Sequence, residues 1–386
     1  MMRRSTGLSR GPAVPAADHG GARHEARDHH YHRRRTTRLP AVAALAAAAL
    51  LAGLCAGDPS SARPAEPTTA SSVARATPAC PLNHNLVPRC GVLWGAYAQA
   101  VGGQPALEAF QQLERVSGTR FSVVHYYHQG SDLFPTPWEM QLARHHRYLL
   151  LSWKPEAGHT WAEVAAGAAD DYIDREAAYL RQNYRKQFFL VIHHEPENEV
   201  IETAGSGFTA GDYRAMFRHV ESRLGADGID NAVYVMNYMG AQTYAERSWY
   251  ADLWPGRRFV DWIAFDPYDA PGLNPQSGGF RRMVNRHWGT GVWRGSYRWA
   301  HQHFPAKPVM LAEWGAAEKP RSAEWKPAFF QTVVRDVRTM PQLKLLAYFS
   351  SPTPNVGGDV RPNTSDPSTA AWRALAKRSI FHRPER

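Results

Sequence analysis

Short apolar runs alternate with longer amphipathic stretches along most of the chain. From Cys90 onward, each apolar run ends in polar or aromatic side chains and is followed by a stretch with helical spacing of its apolar residues. This pattern predicts eight strands: Val92–Tyr97, Phe121–Tyr127, Tyr148–Trp153, Phe188–His194, Ala232–Asn237, Val260–Tyr268, Val309–Trp314 and Leu345–Ser350. The predicted helices are Ala106–Val116, Pro137–His146, Asp170–Tyr184, Ala210–Leu224, Gly291–His303, Ala323–Thr339 and Thr369–Ala376, with an irregular region near Arg247–Leu253 after the fifth strand.

The order of these elements indicates the fold class. Strands that alternate with helices pair in parallel through right-handed crossovers, and eight such units match an α/β fold of the (β/α)8 TIM-barrel type. An open doubly wound sheet is the alternative. Such a sheet usually carries a glycine-rich phosphate loop after its first strand, and the segment Gly91–Gly103 contains no GxGxxG pattern. We therefore predict a single catalytic barrel domain over residues 80–386.

The first 62 residues have the composition of a targeting segment rather than of a folded domain. An arginine-rich lead precedes an apolar run over residues 40–57, and Ser60-Ser61-Ala62 offers small residues for cleavage. Paired arginines favour the twin-arginine export route; an uncleaved signal anchor and a lipoprotein attached at Cys55 are the alternatives. Residues 63–79 are rich in Pro, Ala, Ser and Thr, which indicates a flexible linker. These features predict a secreted, extracellular protein.

The formal net charge of +10 raises the question of nucleic-acid binding. Residues 1–39 carry nine arginines against three acidic residues, so more than half of the net charge lies in the targeting segment. The rest of the chain has no concentrated basic stripe, which argues against a nucleic-acid partner. For the local group Arg281, Arg282 and Arg286 we expect a solvated face, with contact to an acidic polysaccharide as the alternative.

Two cysteines remain outside the targeting segment, Cys80 and Cys90. In an exported protein, two cysteines ten residues apart favour a disulfide, which would hold the chain just before the first predicted strand. A zinc site needs more soft ligands than these two. The pair His193-His194 is not expected to bind one ion, because adjacent strand residues point to opposite faces. We therefore expect neither a metal nor another cofactor.

Two glutamates come directly after buried apolar strands, where an ionised group is costly unless it has partners or a function. Glu195 follows the fourth predicted strand and Glu313 follows the seventh. The C-terminal ends of the strands form the active-site face of such a barrel, and those of strands four and seven lie across it from each other. Two facing carboxylates suit a glycosidase that retains anomeric configuration. Rival acids in the loops beyond are Glu197, Glu199 and Glu318.

Aromatic and polar residues at the other strand ends complete the predicted cleft. The tryptophans are candidate stacking surfaces for sugar rings, each with a core position as the alternative. The histidine and the asparagine are candidates for hydrogen bonds to sugar hydroxyls, because such sites need a few placed polar groups among apolar walls. The members of this predicted substrate-binding set are Trp94, Trp153, Trp314, His125, Asn237 and Tyr348.

Three motifs resemble glycoside hydrolase family 26, in the clan of barrel glycosidases whose catalytic acids end strands four and seven. They are His194-Glu195, Trp94-Gly95-Ala96-Tyr97 and Asp266-Pro267-Tyr268, and the similarity covers residues 90–380. The resemblance implies that Glu195 is the acid/base and Glu313 the nucleophile. It also implies that His194 contacts the sugar or orients the acid, and that Tyr268 hydrogen-bonds the nucleophile. Asp266 could equally be a structural turn residue. One departure concerns the substrate: Pro196-Glu197-Asn198 stands where the familiar endo-β-1,4-mannanases of the family have Met-Asn-Gly.

These observations predict a retaining endo-β-glycosidase that hydrolyses a β-linked polysaccharide or oligosaccharide, with β-mannan as one candidate. A catalytically inactive barrel that binds carbohydrate at the cell surface is the main alternative, and a metal-dependent hydrolase on the same barrel is a third. We expect a monomer with no nucleic-acid partner, and no membrane partner unless the targeting segment stays uncleaved. The sugar itself is not predictable, because barrel specificity lies in the loops.

Overall fold

The computed structural model describes residues 80–382 apart from 145, 272, 274–277, 319–322 and 353–356, so the predicted targeting segment and linker lie outside the described residues. The strands of its main sheet are β1 Val92–Ala98, β2 Val123–Gln129, β3 Tyr148–Lys154, β4 Phe188–Ile192, β5 Ala232–Tyr238, β6 Trp262–Phe265, β7 Val309–Ala316 and β8 Leu343–Ser350. The helices in the described ranges are α1 Ala106–Ser117, α2 Pro137–Leu142, α3 Trp161–Ala165, α4 Asp170–Asn183, α5 Ala210–Ala226, α6 Gln242–Ala245, α7 Phe280–Val284, α8 Ser296–His303, α9 Trp325–Val337 and α10 Asp366–Ala376. Two-residue strands at Tyr268–Asp269 and Phe381–His382 and single 3₁₀ turns at Pro196–Asn198 and Tyr250–Leu253 complete the order.

The sheet closes on itself because every strand pairs in parallel with both of its neighbours. The pairing runs in chain order from β1 to β8, and β8 then pairs with β1, from Leu93 opposite Leu345 to Ala98 opposite Ser350. At least one helix lies between each strand and the next. The predicted (β/α)8 TIM barrel is therefore confirmed, and the C-terminal ends of all eight strands meet at one face.

Period-two alternation along the strands divides the apolar side chains into two layers. The inner layer fills the barrel and is contributed by every strand, with Leu93, Val123, Leu150, Phe189, Val191, Val233, Val235, Trp262, Ala264, Met310, Ala312, Leu345 and Ala347. The outer layer is a separate cluster, in which the other apolar strand residues pack against the helices. A strand residue of this protein therefore reaches the mouth of the barrel only if it belongs to the inward-facing set.

Four aromatic residues predicted to line the cleft lie in the outer layer. Trp94, Trp153, Trp314 and Tyr348 are fully buried between strands and helices. The ring of Trp94 lies 4.2 Å from that of Phe381, and the rings of Trp314 and Tyr348 lie 4.8 Å apart, centroid to centroid. The prediction that these four residues contact the substrate is wrong, because their side chains point away from the barrel axis.

Strands β4 and β6 end earlier than the sequence predicts, and both differences fall at the mouth. Strand β4 stops at Ile192, because His193 (φ 54°) and Glu195 (φ 49°) take the left-handed backbone region that ends an extended strand. Strand β6 stops at Phe265, and the chain pairs with β7 again only at Tyr268–Asp269. The unpaired residues between these pieces are available to the site.

The apolar pattern does not predict helices α3, α6 and α7. They have four or five residues each, which is too few to display a helical repeat of apolar positions. Helix α3 begins with a capping box, in which Thr160 accepts from the backbone N–H of Glu163 and the Glu163 side chain accepts from that of Thr160. Helix α2 ends at Leu142, four residues before the predicted end at His146.

The predicted disulfide between Cys80 and Cys90 is present. Between the two cysteines, the chain places Leu86 against the inner layer at the N-terminal end of the barrel, where only 1% of the side chain is exposed. The Asn85 carbonyl accepts a hydrogen bond of 2.7 Å from the indole of Trp262. The N-terminal segment thus closes the end of the barrel opposite the mouth. Among the described residues, no helix is long and apolar enough to cross a membrane.

Candidate active site

Glu313 lies inside strand β7, and both of its carboxylate oxygens are held. The Tyr127 hydroxyl donates to Oε1 and the Tyr268 hydroxyl donates to Oε2, each at 2.5 Å. The backbone N–H of Glu313 donates to Oδ1 of Asp266 at 2.9 Å. Burial raises the pKa of Glu313 above its usual value, and the two tyrosine hydroxyls counteract this by stabilising the charged form. The side chain is a fixed carboxylate whose hydrogen bond to Tyr268 agrees with the sequence expectation.

A register shift in β7 makes this position possible. Met310 and Ala312 face the barrel interior, so strict alternation would put Trp314 inside and Glu313 outside. The pairing of β7 with β8 is irregular between Leu311 and Trp314. A β-bulge of this kind re-aims the side chains that follow it. As a result Trp314 enters the outer layer and Glu313 turns into the mouth, where the two tyrosines meet it.

Glu195 lies three residues past the end of β4, in the left-handed turn described above. Its backbone N–H donates to the carbonyl of Asn237 at 3.1 Å, and its Oε2 accepts a hydrogen bond of 3.2 Å from the Asn198 amide. Burial first, then the negative charges of Glu313 and Glu197, hold the pKa of Glu195 well above its usual range. The two glutamates at the ends of β4 and β7 are thus close enough to influence each other's ionisation.

Asp266 and Asn237 form a bridge behind the two glutamates. The Asn237 amide donates to Oδ2 of Asp266 at 2.7 Å, while Oδ1 of the same carboxyl accepts from the backbone of Glu313. Both residues are almost fully buried. The pKa of Asp266 is raised by burial and by the charges of Glu313 and Glu195. We therefore place Asn237 as a support of the site, and not as the sugar contact predicted from its strand-end position.

His125 is likewise a supporting residue. Its ring is buried inside the barrel, with Nδ1 2.9 Å from the Ala312 carbonyl and Nε2 3.0 Å from the Ser152 hydroxyl. The predicted hydrogen bond to a sugar hydroxyl is wrong, because both ring nitrogens are already engaged. Burial lowers the pKa of His125 to about 3, so the imidazole is neutral. Its ring packs against Tyr127 with centroids 4.5 Å apart, directly beneath the tyrosine that holds Glu313.

His193 and His194 point to opposite sides, as expected for adjacent residues. The His194 ring lies 5.2 Å from that of Tyr127, on the side of Glu313. Burial and the positive charges of Lys154 and His193 hold the pKa of His194 well below its usual value. Its buried Nδ1 has no hydrogen-bond partner among the described residues. A neutral imidazole beside the carboxylate pair is consistent with the sugar contact that the sequence implied, which stays a prediction.

His193 turns into the outer layer, where it joins two carboxylates. Its Nε2 lies 2.9 Å from Oε1 of Glu156 and 3.2 Å from Oε2 of Glu199, and Glu199 also binds the Lys154 ammonium. Burial raises the pKa of Glu199. The hydrogen bonds and charges of His193 and Lys154 outweigh burial and lower the pKa to about 2. The three acid and imidazole groups could approach one metal ion. We assign none, because the lysine already makes the cluster an ion-pair network.

Aromatic surfaces do reach the mouth, but from residues that the sequence reasoning did not select. Tyr97 and Phe349, near the C-terminal ends of β1 and β8, are half-buried and stack with centroids 4.6 Å apart. Both continue the inward-facing sets of their strands, after Leu93 in β1 and after Ala347 in β8. Every second residue counted from an inward-facing residue also faces inward, and this count identifies Tyr97, Phe349 and Tyr127. Selecting the largest aromatic residues at the strand ends does not identify them.

The rival acids named from the sequence lie elsewhere. Glu318 accepts hydrogen bonds from Ser365 and Ser368 at the start of α10. Glu199 is part of the ion-pair network around His193, and Glu197 is buried against the end of β5. The structure therefore brings together Glu195, Glu313, Tyr268 and His194 of the predicted set, and adds Tyr127, Asp266 and the Tyr97–Phe349 pair.

Several solved structures of family 26 enzymes share this fold. The GH26 domain of the endo-β-mannanase/endo-β-glucanase PbGH26-GH5A from Prevotella bryantii aligns over 77% of this chain and 92% of its own, with a TM-score of 0.52 and 13% identity. The GH26 β-mannanase BoMan26A from Bacteroides ovatus aligns over 77% and 91%, with a TM-score of 0.52 and 15% identity. The barrel has the fold of family 26 glycoside hydrolases. At these identities the likeness concerns the fold, and the activity has to be argued from the site.

A modular endo-β-1,4-mannanase from Cellulomonas fimi has the same architecture, with a TM-score of 0.52 and 16% identity over 76% of this chain and 72% of its own. Among curated proteins, the chain is similar to endoglucanase H of Acetivibrio thermocellus, with 25% identity over 285 residues. The match covers 71% of this chain and 29% of that endoglucanase, so the chain spans less than a third of the length of this relative. No protein-family model matches the chain.

Proposed function

We propose that this protein is a glycoside hydrolase that cleaves a β-linked polysaccharide internally, with retention of configuration. One observation carries the proposal: two half-buried carboxyl groups face each other at the mouth of the barrel in unlike surroundings. Glu313 accepts hydrogen bonds from Tyr127 and Tyr268, which favour its ionised form. Glu195 accepts a side-chain hydrogen bond from Asn198 alone among the described residues, and burial together with the charge of Glu313 raises its pKa. Carboxyl groups whose pKa values are pushed apart suit a nucleophile and an acid.

In the first step of the proposed reaction, Glu313 attacks the anomeric carbon while Glu195 donates its proton to the departing glycosidic oxygen. The bond between sugar and leaving group breaks, and a glycosyl ester forms on Glu313. In the second step Glu195, now ionised, takes a proton from water, and the oxygen of this water displaces Glu313. Two inversions leave the anomeric configuration unchanged. The tyrosine hydroxyls hold Glu313 on the line of attack and stabilise it again when it leaves.

Substrate class is the finer part of the proposal. The related structures named above are mannanases, and the curated relative is an endoglucanase, so β-mannan and β-glucan are the first candidates. The turn Pro196-Glu197-Asn198 differs from the Met-Asn-Gly of familiar mannanases and lies beside the acid/base. We propose that the Tyr97–Phe349 pair supports a sugar ring beside Glu313, because its faces border the tyrosines of the site.

Export is part of the proposal as well. The disulfide between Cys80 and Cys90 suits an oxidising compartment, in agreement with the targeting composition of residues 1–62. We propose that the secreted barrel acts as a monomer on a polysaccharide outside the cell.

The test is a substrate screen with the purified protein. β-Mannan, mixed-linkage β-glucan, β-1,3-xylan and an acidic exopolysaccharide are incubated separately, and new reducing ends are measured together with loss of viscosity. We expect hydrolysis of at least one of these, with viscosity falling ahead of reducing ends because internal bonds are cut. Proton NMR of the first product should show the β anomer. Absence of hydrolysis of every glycan, or first appearance of the α anomer, would contradict the proposal.

A further inference from the structure

Glu197 is a buried carboxyl group to which the proposed reaction assigns no role. It lies two residues beyond Glu195, in the 3₁₀ turn Pro196–Asn198, and only 1% of its side chain is exposed. An acid so deeply buried needs partners. Its partners are backbone groups of the loop after β5: Oε2 accepts from the N–H of Met239 at 3.1 Å, and Oε1 accepts from the N–H of Gly240 at 3.3 Å.

The loop after β5 is shaped to present these two donors. Gly240 has φ 73°, and a Cβ at this position would lie 2.6 Å from the Ser296 hydroxyl and 2.8 Å from the Phe265 ring. Only glycine therefore fits this backbone. Strand β4 has already ended here, and a main-chain hydrogen bond still joins Glu195 to Asn237 of β5. Past this bond, the carboxylate of Glu197 connects the turn to the loop after β5.

The same turn is fastened on its other side through side chains. Glu199 lies 3.2 Å from His193 and also binds Lys154. The contact between His193 and Glu199 therefore joins the two ends of the segment 193–199. Within this closed segment the Asn198 amide donates to Glu195. Glu195 keeps a left-handed conformation that is unfavourable for a side-chain-bearing residue. Such a conformation persists only where surrounding contacts enforce it. On the β5 side, Glu197 adds two side-chain contacts to the main-chain bond from Glu195 to Asn237.

We propose that Glu197 is a positioning residue for the acid/base: by binding the backbone of the loop after β5, it holds the turn that aims Glu195 at the mouth of the barrel. This inference rests on the proposed function of Glu195. Burial raises the pKa of Glu197 to about 7, and its ionised form places negative charge near the acid. Groups that face Glu195 from the packed elements are Glu313 of β7, Asp266 after β6, Lys154 of β3, and Glu197 and Asn198 of its own turn. Of these, Glu197 is an acid with no direct part in bond cleavage.

The experiment compares Glu197→Gln and Glu197→Ala with wild type. A glutamine has nearly the same shape and keeps one acceptor oxygen, but it carries no charge. We expect Glu197→Gln to fold with an unchanged circular dichroism spectrum and to move the alkaline limb of kcat/KM on the polysaccharide toward lower pH by about one unit, because Glu195 loses a neighbouring negative charge. Glu197→Ala should lower kcat further, by about tenfold or more, with KM little changed, and glutamine should restore part of the loss.

An activated substrate separates positioning of the acid from general damage. A 2,4-dinitrophenyl β-glycoside of the sugar found in the screen has a leaving group that departs without a proton. Its glycosylation step should fall much less in both variants than hydrolysis of the polysaccharide does. Glu202→Gln is the matched control, since Glu202 is an exposed acid of the following loop that pairs only distantly with Arg247, at 3.8 Å; its pH profile should coincide with that of wild type.

The outcomes distinguish failure of the proposed function from failure of the positioning role of Glu197. If wild type hydrolyses no glycan and no aryl glycoside, the proposed function fails. If wild type is active and the Glu197→Gln and Glu197→Ala profiles coincide with it, the positioning inference fails while the function stands. Equal losses on polysaccharide and aryl glycoside, with an unmoved alkaline limb, would also overturn the inference, because they would show a structural effect unrelated to the acid.

Discussion

The ends of β4 and β7 carry the two candidate catalytic acids, and they hold them by different means. Glu313 lies within a strand that pairs with β6 and β8, and its carboxylate is fixed by two tyrosine hydroxyls. Glu195 lies beyond its strand, in a left-handed turn that side chains connect to β3 and β5. A nucleophile has to stay ionised and in line, whereas an acid/base has to change protonation twice in each cycle. The rigid strand suits the first task, and the turn with its many charges suits the second.

The largest effect should come from Glu313. Replacing it with Ala removes the proposed nucleophile, so kcat on the polysaccharide should fall by about 10⁴-fold or more, while binding of the glycan is retained. Steady-state kinetics and affinity electrophoresis in the same glycan measure the two quantities. Activity equal to that of wild type would refute the role of Glu313 and, with it, the contrast between the two strand ends.

Glu195→Ala should reduce hydrolysis of the polysaccharide by about 10²- to 10⁴-fold. A dinitrophenyl glycoside should still form the glycosyl-enzyme, because its leaving group needs no proton, and added azide should then release a β-glycosyl azide. Product analysis by NMR checks this outcome. A variant that azide fails to rescue, and that is slow in glycosylation of the activated substrate, would place Glu195 outside the acid/base role.

Removing one tyrosine hydroxyl should weaken the hold on Glu313. Tyr268→Phe and Tyr127→Phe each delete a hydrogen bond to a charged group, worth about 1.5–3 kcal/mol, so kcat/KM should fall by roughly 10- to 100-fold. Both hydroxyls stabilise the ionised form, so their loss raises the pKa of Glu313 and should move the acid limb of kcat/KM to higher pH. The pH profiles of the two single variants and the double variant measure this shift. An acid limb that does not move would mean that the hydroxyls do not stabilise the ionised form of Glu313.

The smallest predicted effect concerns stability near the β4 turn. Burial lowers the pKa of His193, but hydrogen bonds and charges from Glu156 and Glu199 raise it by more, so its pKa in the folded protein lies above the unfolded value of about 6.5. Its stabilising contribution is complete below the unfolded pKa and is lost as pH rises through the folded value. We expect His193→Gln to lower the free energy of unfolding at pH 6 by about 1–3 kcal/mol and by less at pH 9.

Urea unfolding at both pH values measures the stability difference. The matched control is His219→Gln, which removes a more exposed histidine that pairs with Asp170 at 2.6 Å outside the site and should leave kcat unchanged. If the loss caused by His193→Gln is the same at pH 6 and pH 9, the histidine acts as a neutral packing residue and the charged network around the turn has to be revised.

Much of the fold could be predicted from the chain alone, because its signals are local. Alternating apolar runs and amphipathic stretches indicate eight strand–helix units. The strand bounds agree to within two residues except at β6, and β4 and β6 end early where the mouth interrupts the pairing. The same pattern locates the strands β4 and β7, at whose C-terminal ends Glu195 and Glu313 lie. Tyr268 follows from the resemblance to family 26, and its hydrogen bond to Glu313 is present. The disulfide follows from cysteine spacing and export.

What the sequence by itself determined is therefore the barrel and the strand ends at which its acids stand; the directions of the side chains were decided by the tertiary structure. A bulge between β7 and β8 turns Glu313 inward and Trp314 outward, and left-handed residues at positions 193 and 195 end β4 before Glu195. Both features depend on pairing and contacts between segments far apart in the chain. Period-two alternation describes a strand only while its pairing is regular, so it fails at the two places where this protein positions its carboxyl groups.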